Sequence, residues 1–142
     1  MSKIDELVQF AKADTSNTEE REVNFGNVPN FQAQKIAADT GVVTKGAIKI
    51  LSAYAVNHIF KRHGNHEEEQ KRGQVGVVDS DFKLIPEILI NPDSVFKGTE
   101  GNRGQKSLIF KKKYSHTYFV IVSIFSNRQV IRVEIQTMYI KK

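Results

Sequence analysis

The sequence predicts an α+β domain, with N-terminal helices followed by a four-stranded antiparallel sheet. Three observations carry that prediction. Apolar residues recur at helical spacing in the first half of the chain. After NPDSVFKG the pattern changes to runs rich in Ile, Val, Phe and Tyr joined by short polar links. A chain of 142 residues, 39% apolar and 26% charged, is of a size and composition to close one core.

Taken in order, Ile4, Leu7, Val8 and Ala11 give residues 3–13 a helical stripe. Residues 14–30 read as a loop, with Gly26, Pro29 and several Asn, Ser and Thr. Asn30 can cap a short helix, FQAQKIAAD, which stops at Gly41. Thr44 can cap a longer one, KGAIKILSAYAVNHIFKR, ending near Gly64. A polar loop, NHEEEQKRG, follows. DFKLIPEILI is helical but broken by Pro86. The strands are SVFKG, SLIFKKKY, TYFVIVSIF and QVIRVEIQTMYI. In TYFVIVSIF both alternating sets are mostly apolar, which marks a central strand covered on both faces. In the last strand Ile131, Val133 and Ile135 share one face, and Thr137 and Tyr139 extend that inward series. Residues 1–30 form a helix-and-loop extension and residues 31–142 the single domain.

Composition excludes several chemistries. Without cysteine there are no disulfides, thiolate nucleophiles or cysteine-held metal sites. No apolar run approaches the ~18 residues of a membrane span, and the N-terminal stretch has charges inside its apolar pattern, unlike a signal peptide. A cytoplasmic protein is expected. The net charge of +5 is unevenly spread: residues 1–30 are net acidic, whereas from Lys106 onward eight basic residues face one acid, Glu134. Such a half suggests an anionic partner, RNA among the nucleic acids, or a merely soluble basic surface.

HIFKRHG, residues 58–64, places two of the four histidines among cations at a helix end. On a helix His58 continues the line of Leu51 and Tyr54, so its face looks inward, with Arg62 one turn later. His63 lies about 140° around from His58 at ~100° per residue. Only a turn at Gly64, or chemistry by one histidine alone, reconciles the pair with one cleft. The plain alternatives are a hydrogen-bonded core-edge ring for His58 and a dipole-stabilised surface ring for His63. The spacing and the flanking cations do not suit a metal, and no metal or organic cofactor is expected. They do suit phosphate chemistry. Cleaving RNA without metal requires a base for the 2′-hydroxyl, an acid for the leaving 5′-oxygen and donors around the phosphorus. The inventory for this is His58, His63, Arg72, Lys106, Lys111, Thr137 and Tyr139, with Arg62, Lys112 and Lys113 as further RNA-binding cations. Lys111–Lys113 are equally well a solvated strand end, and Thr137 and Tyr139 equally well strand formers at a terminus.

From HIFKRHG through RGQVGVV and DSDFKLIPEILINPDSV to the closing TMY, the chain resembles the phage-associated branch of the barnase–EndoU–colicin–RelE-like nucleases. The resemblance spans roughly residues 40–140. It is carried by the HI-x3-HG element, the RGQ at 72–74 and the T-x-Y at 137–139. It implies helices before a four-stranded antiparallel sheet and a metal-independent endoribonuclease that leaves a 2′,3′-cyclic phosphate, toxin-like and of phage or mobile-element origin. It also implies His58 or His63 as general base or acid, and Arg72 holding phosphate or ordering the loop behind the helix. Thr137 and Tyr139 would donate to phosphate or stack on a base. RNA is the implied partner, with an inhibitor or immunity protein as a second. A non-catalytic RNA-binding or protein-interaction module is the alternative. It differs in keeping salt-dependent binding while dispensing with the histidines.

Overall fold

A computed structural model of the chain describes residues 2–13, 20–127 and 129–142. The loop expected over 14–19 and Arg128 of the SNRQ link lie outside the described residues. The elements run α1 (Lys3–Ala13), β1 (Glu22–Asn27), α2 (Asn30–Thr40), β2 (Ile48–Ser52), α3 (Ala53–His63), α4 (His66–Lys71) and β3 (Gln74–Val75). A 3₁₀ turn (Asp79–Leu84) follows, then α5 (Ile85–Ile90), β4 (Ser94–Lys97), β5 (Lys106–Lys113), β6 (Thr117–Ser126) and β7 (Ile131–Lys141).

The fold is α+β as expected, but among the described residues the sheet has seven strands rather than four, in the order β1-β2-β7-β6-β5-β4, with β3 also paired to β7. The antiparallel meander β4–β5–β6–β7 is the part the strand patterns predicted. The rest was hidden in segments read as loop or helix. β1 lies within the expected loop and pairs antiparallel with β2, and β2 pairs parallel with β7, so the sheet is mixed. β2 lies in the first half of what periodicity made one long helix. Ile48, Ile50 and Leu51 fit either period, and two neighbouring strands decide it by taking the backbone hydrogen bonds. Ser52 then caps α3, its hydroxyl accepting from the Ala55 N–H at 3.0 Å. NHEEEQKRG is likewise not all loop. The Asn65 side chain accepts from the Glu67 and Glu68 N–H groups and starts α4.

The core forms one cluster. It joins Ile4, Leu7, Val8 and Ala11 of α1, Ala55, Val56 and Ile59 of α3, and Phe82, Ile85, Ile88 and Leu89 to one face of the sheet. At about 1.5–3 kcal/mol for each fully buried large aliphatic or Phe side chain, this cluster is the main source of stability. On the sheet its members are Leu108, Phe110, Val120, Val122, Val133, Ile135, Met138 and Ile140. The last two break the expected alternation. Ile121 pairs with Thr137 but Val122 pairs with Ile135, leaving Gln136 as an extra residue. That one-residue bulge reverses the phase of β7. Met138 and Ile140 continue the inward series, while Thr137 and Tyr139 turn to the opposite face, contrary to the sequence expectation.

Candidate active site

The bulge places Tyr139 on the sheet face away from the core. Register aligns Lys111 of β5, Phe119 of β6 and Tyr139 of β7 in one row across the strands. The next row holds Lys113, Thr117, Lys141 and, through β3, Gln74. Phe119 and Tyr139 stack with ring centroids 4.8 Å apart and planes within 10°. The Lys111 and Lys141 ammonium nitrogens lie 5.9 and 5.6 Å from the Phe119 ring centre, within cation–π range.

His63 joins this row from α3. Its ring centroid is 5.8 Å from that of Tyr139, tilted by 35°. β2 runs parallel to β7 and α3 begins where β2 ends, so the helix carries His63 along β7 toward the end of that strand. At Gly64 the helix stops. A Cβ there would meet the Phe60 carbonyl oxygen at 2.5 Å, so the residue must be small for this turn to form. The His63 carbonyl accepts from the Val77 N–H at 2.8 Å, which ties the helix end to the returning chain. The imidazole Nδ1 is 3.2 Å from Glu69 Oε2. The other Glu69 oxygen, Oε1, accepts from Arg72 Nη1 at 2.9 Å. The same Arg72 nitrogen donates to the Arg62 carbonyl at 3.3 Å. The Glu69 side chain is fully buried (0% exposed) and that of His63 15% exposed.

Of the residues singled out by sequence, the structure brings together His63 and Tyr139, with Lys111 beside them. Arg72 joins them through Glu69. Thr137 is on the same face as Tyr139, its hydroxyl buried and without a hydrogen-bond partner. Lys113 stands exposed in the neighbouring row. His58 does not face inward. The buried stripe of α3 is Ala53, Ala55, Val56 and Ile59, Tyr54 is 68% exposed, and His58 stacks on Tyr54 at 6.4 Å. Burial, then the charges of Arg62, His63 and Lys61, lowers the His58 pKa, so it favours the neutral ring. Arg62 is exposed. Lys112 points to the helix side, where its ammonium donates to the Asn91 carbonyl at 2.7 Å. Lys106 is ion-paired with Glu100. Burial raises the Tyr139 pKa, so the phenol stays protonated and can donate.

The sequence did not single out Glu69, Phe119 or Lys141. Glu69 looked like part of a solvated acidic stretch. The available signal was Asn65 as a helix cap, which makes the acidic stretch a first helical turn whose three glutamates point in different directions, Glu69 inward. Phe119 was legible only as a strand residue. Among the described residues no three His, Asp or Glu side chains converge as a metal site would require.

Residues 26–142 match the family model described as phage-Barnase-EndoU-ColicinE5/D-RelE like nuclease3. The chain belongs to this nuclease family. The match takes in the whole of the row described above, from the α3 histidine to the β7 tyrosine, and excludes α1 and most of β1. No curated protein and no solved structure matches the chain. Among the described residues no helix of this family member is long and apolar enough to cross a membrane.

Proposed function

We propose that this nuclease is an endoribonuclease that cleaves by attack of the 2′-hydroxyl, leaving a 2′,3′-cyclic phosphate and a 5′-hydroxyl. The observation that carries the proposal is the contact of His63 with Tyr139, on the sheet face that also presents Lys111 and Lys141. With Nδ1 held by Glu69, Nε2 of His63 is the nitrogen free to take the 2′-hydroxyl proton. The 2′-oxygen then forms a bond to phosphorus, the bond to the 5′-oxygen breaks, and the departing oxygen takes up a proton from solvent. Tyr139 donates from its phenol to a nonbridging phosphate oxygen. Lys111 and Lys141 oppose the charge that accumulates there, and Lys113 extends the phosphate track. Side chains supply the base and the positive charge, so the scheme works without a metal. Arg72 acts through Glu69, Thr137 lies on this face with its hydroxyl buried, and His58 takes no part.

The proposal is tested with a single-stranded RNA oligonucleotide, the same oligonucleotide carrying one 2′-deoxy residue at the mapped cut, and the matching DNA, all in EDTA. Cleavage of the RNA alone, with cyclic-phosphate ends, is expected. Cleavage of the DNA or of the 2′-deoxy site would overturn the 2′-hydroxyl mechanism. Salt-dependent RNA binding without turnover would replace the enzyme with a binding module.

A further inference from the structure

A fully buried carboxylate needs a reason, because an ion taken out of water is stabilised only by partners that use its oxygens. Glu69 has two, and they differ in kind. Arg72 supplies a charged donor to Oε1 at 2.9 Å, which by itself would account for a structural ion pair. Oε2, however, is at hydrogen-bond distance from a ring nitrogen of the histidine that meets Tyr139. Glu67 and Glu68, adjacent in sequence, are exposed, and Glu68 meets Lys71 at 3.3 Å on the surface. We propose that Glu69 is the positioning residue of this site: it fixes His63 with its proton on Nδ1 and its lone pair on Nε2, while Arg72 grips Glu69 from behind.

The proposal rests on the nuclease function proposed above and deepens it. A carboxylate only accepts, so Nδ1 facing it must carry hydrogen, and a neutral imidazole then has its basic lone pair at Nε2. Glu69 is gripped by the Arg72 guanidinium through Oε1 and faces the ring through Oε2, so it orients the ring without itself taking the proton. Arg72 is in turn anchored on the carbonyl of Arg62, the residue before the histidine. Ring, carboxylate and guanidinium are therefore referenced to one helix end. Arg72 of the RGQ segment acts through Glu69 and not on the phosphate.

The test is Glu69→Gln, a nearly isosteric change. Arg72 can only donate, so it claims the amide oxygen of Gln. That leaves the amide NH₂ facing Nδ1, which must then accept, and the imidazole proton is forced to Nε2. Nitrogen-15 spectra of the histidine side chains at pH 8.5 are expected to show His63 as the Nδ1–H tautomer in the wild type and as Nε2–H in the variant. In the RNA assay kcat is expected to fall by about 10–100-fold or more with KM little changed. A wild-type His63 protonated on Nε2 would overturn the proposal without recourse to any variant. So would an unchanged tautomer with unchanged kcat in a folded Glu69→Gln protein. If the wild type proves inactive on RNA, the tautomer pair still decides whether Glu69 positions the ring, so failure of the nuclease reading and failure of the positioning role are distinguishable.

Discussion

At the scale of single residues, the site depends on which atoms of His63 and Tyr139 are left for the substrate. Tyr139→Phe keeps the stack on Phe119 and the packing against His63 but removes the donor. Its expected effect is a fall in kcat of about tenfold or more with unchanged thermal stability, read from cleavage rates beside a melting curve. His58 gives a separate, purely structural prediction. Its folded-state pKa is lowered, by burial first and then by Arg62, His63 and Lys61. As pH falls, the unfolded chain takes up that proton before the folded one does, so its contribution disfavours the fold on the acid side and vanishes above about pH 6.5. His58→Gln is expected to flatten the melting-temperature profile below about pH 6.5 while leaving cleavage within a few-fold of wild type. Sequence placed both histidines at a helix end but assigned the inward face to His58. The true inward stripe begins after Ser52, and periodicity carried back through Leu51 set the phase wrongly.

At the scale of elements, the decisive feature is the bulge at Gln136. The sequence of β7 alternates through Ile135, after which Met138 and Ile140 fall in the opposite phase. Pairing with β6 turns that step of three into a bulge and buries both residues. A strand slipped by one residue exchanges its two faces. Deleting Gln136 causes no such slip, because it leaves Ile135 opposite Val122 and Thr137 opposite Ile121 as consecutive pairs; Tyr139 and Lys141 are expected to stay on the outer face, and the cooperative thermal transition seen by circular dichroism to be retained. Loss of that transition would mean that the bulge itself is needed to seat the strand. The three strands beyond the expected four were hidden for related reasons. β3 has two residues, β1 lies in a polar stretch, and β2 is short enough for helical and strand periods to coincide.

At the scale of the whole molecule, the positive charge of the C-terminal half is divided between two jobs. Lys111, Lys113 and Lys141 project from the face that carries Phe119 and Tyr139, whereas Lys112 is bound to the Asn91 carbonyl and Lys106 to Glu100. Charge counting alone could not separate them, because adjacent lysines on a strand point to opposite faces. Salt titration separates them. Lys111→Gln and Lys141→Gln are each expected to reduce the slope of log affinity for single-stranded RNA against log salt by roughly 0.7. Lys112→Gln leaves the slope unchanged and lowers stability instead. The central claim is that the imidazole delivered by α3 to the end of β7 performs the proton transfer. Its most direct test is single-turnover cleavage of a labelled RNA in EDTA by wild type and by His63→Ala. A loss of about 10²–10⁴-fold with RNA affinity preserved is expected of a general base; cleavage at the wild-type rate by the folded variant would contradict the claim.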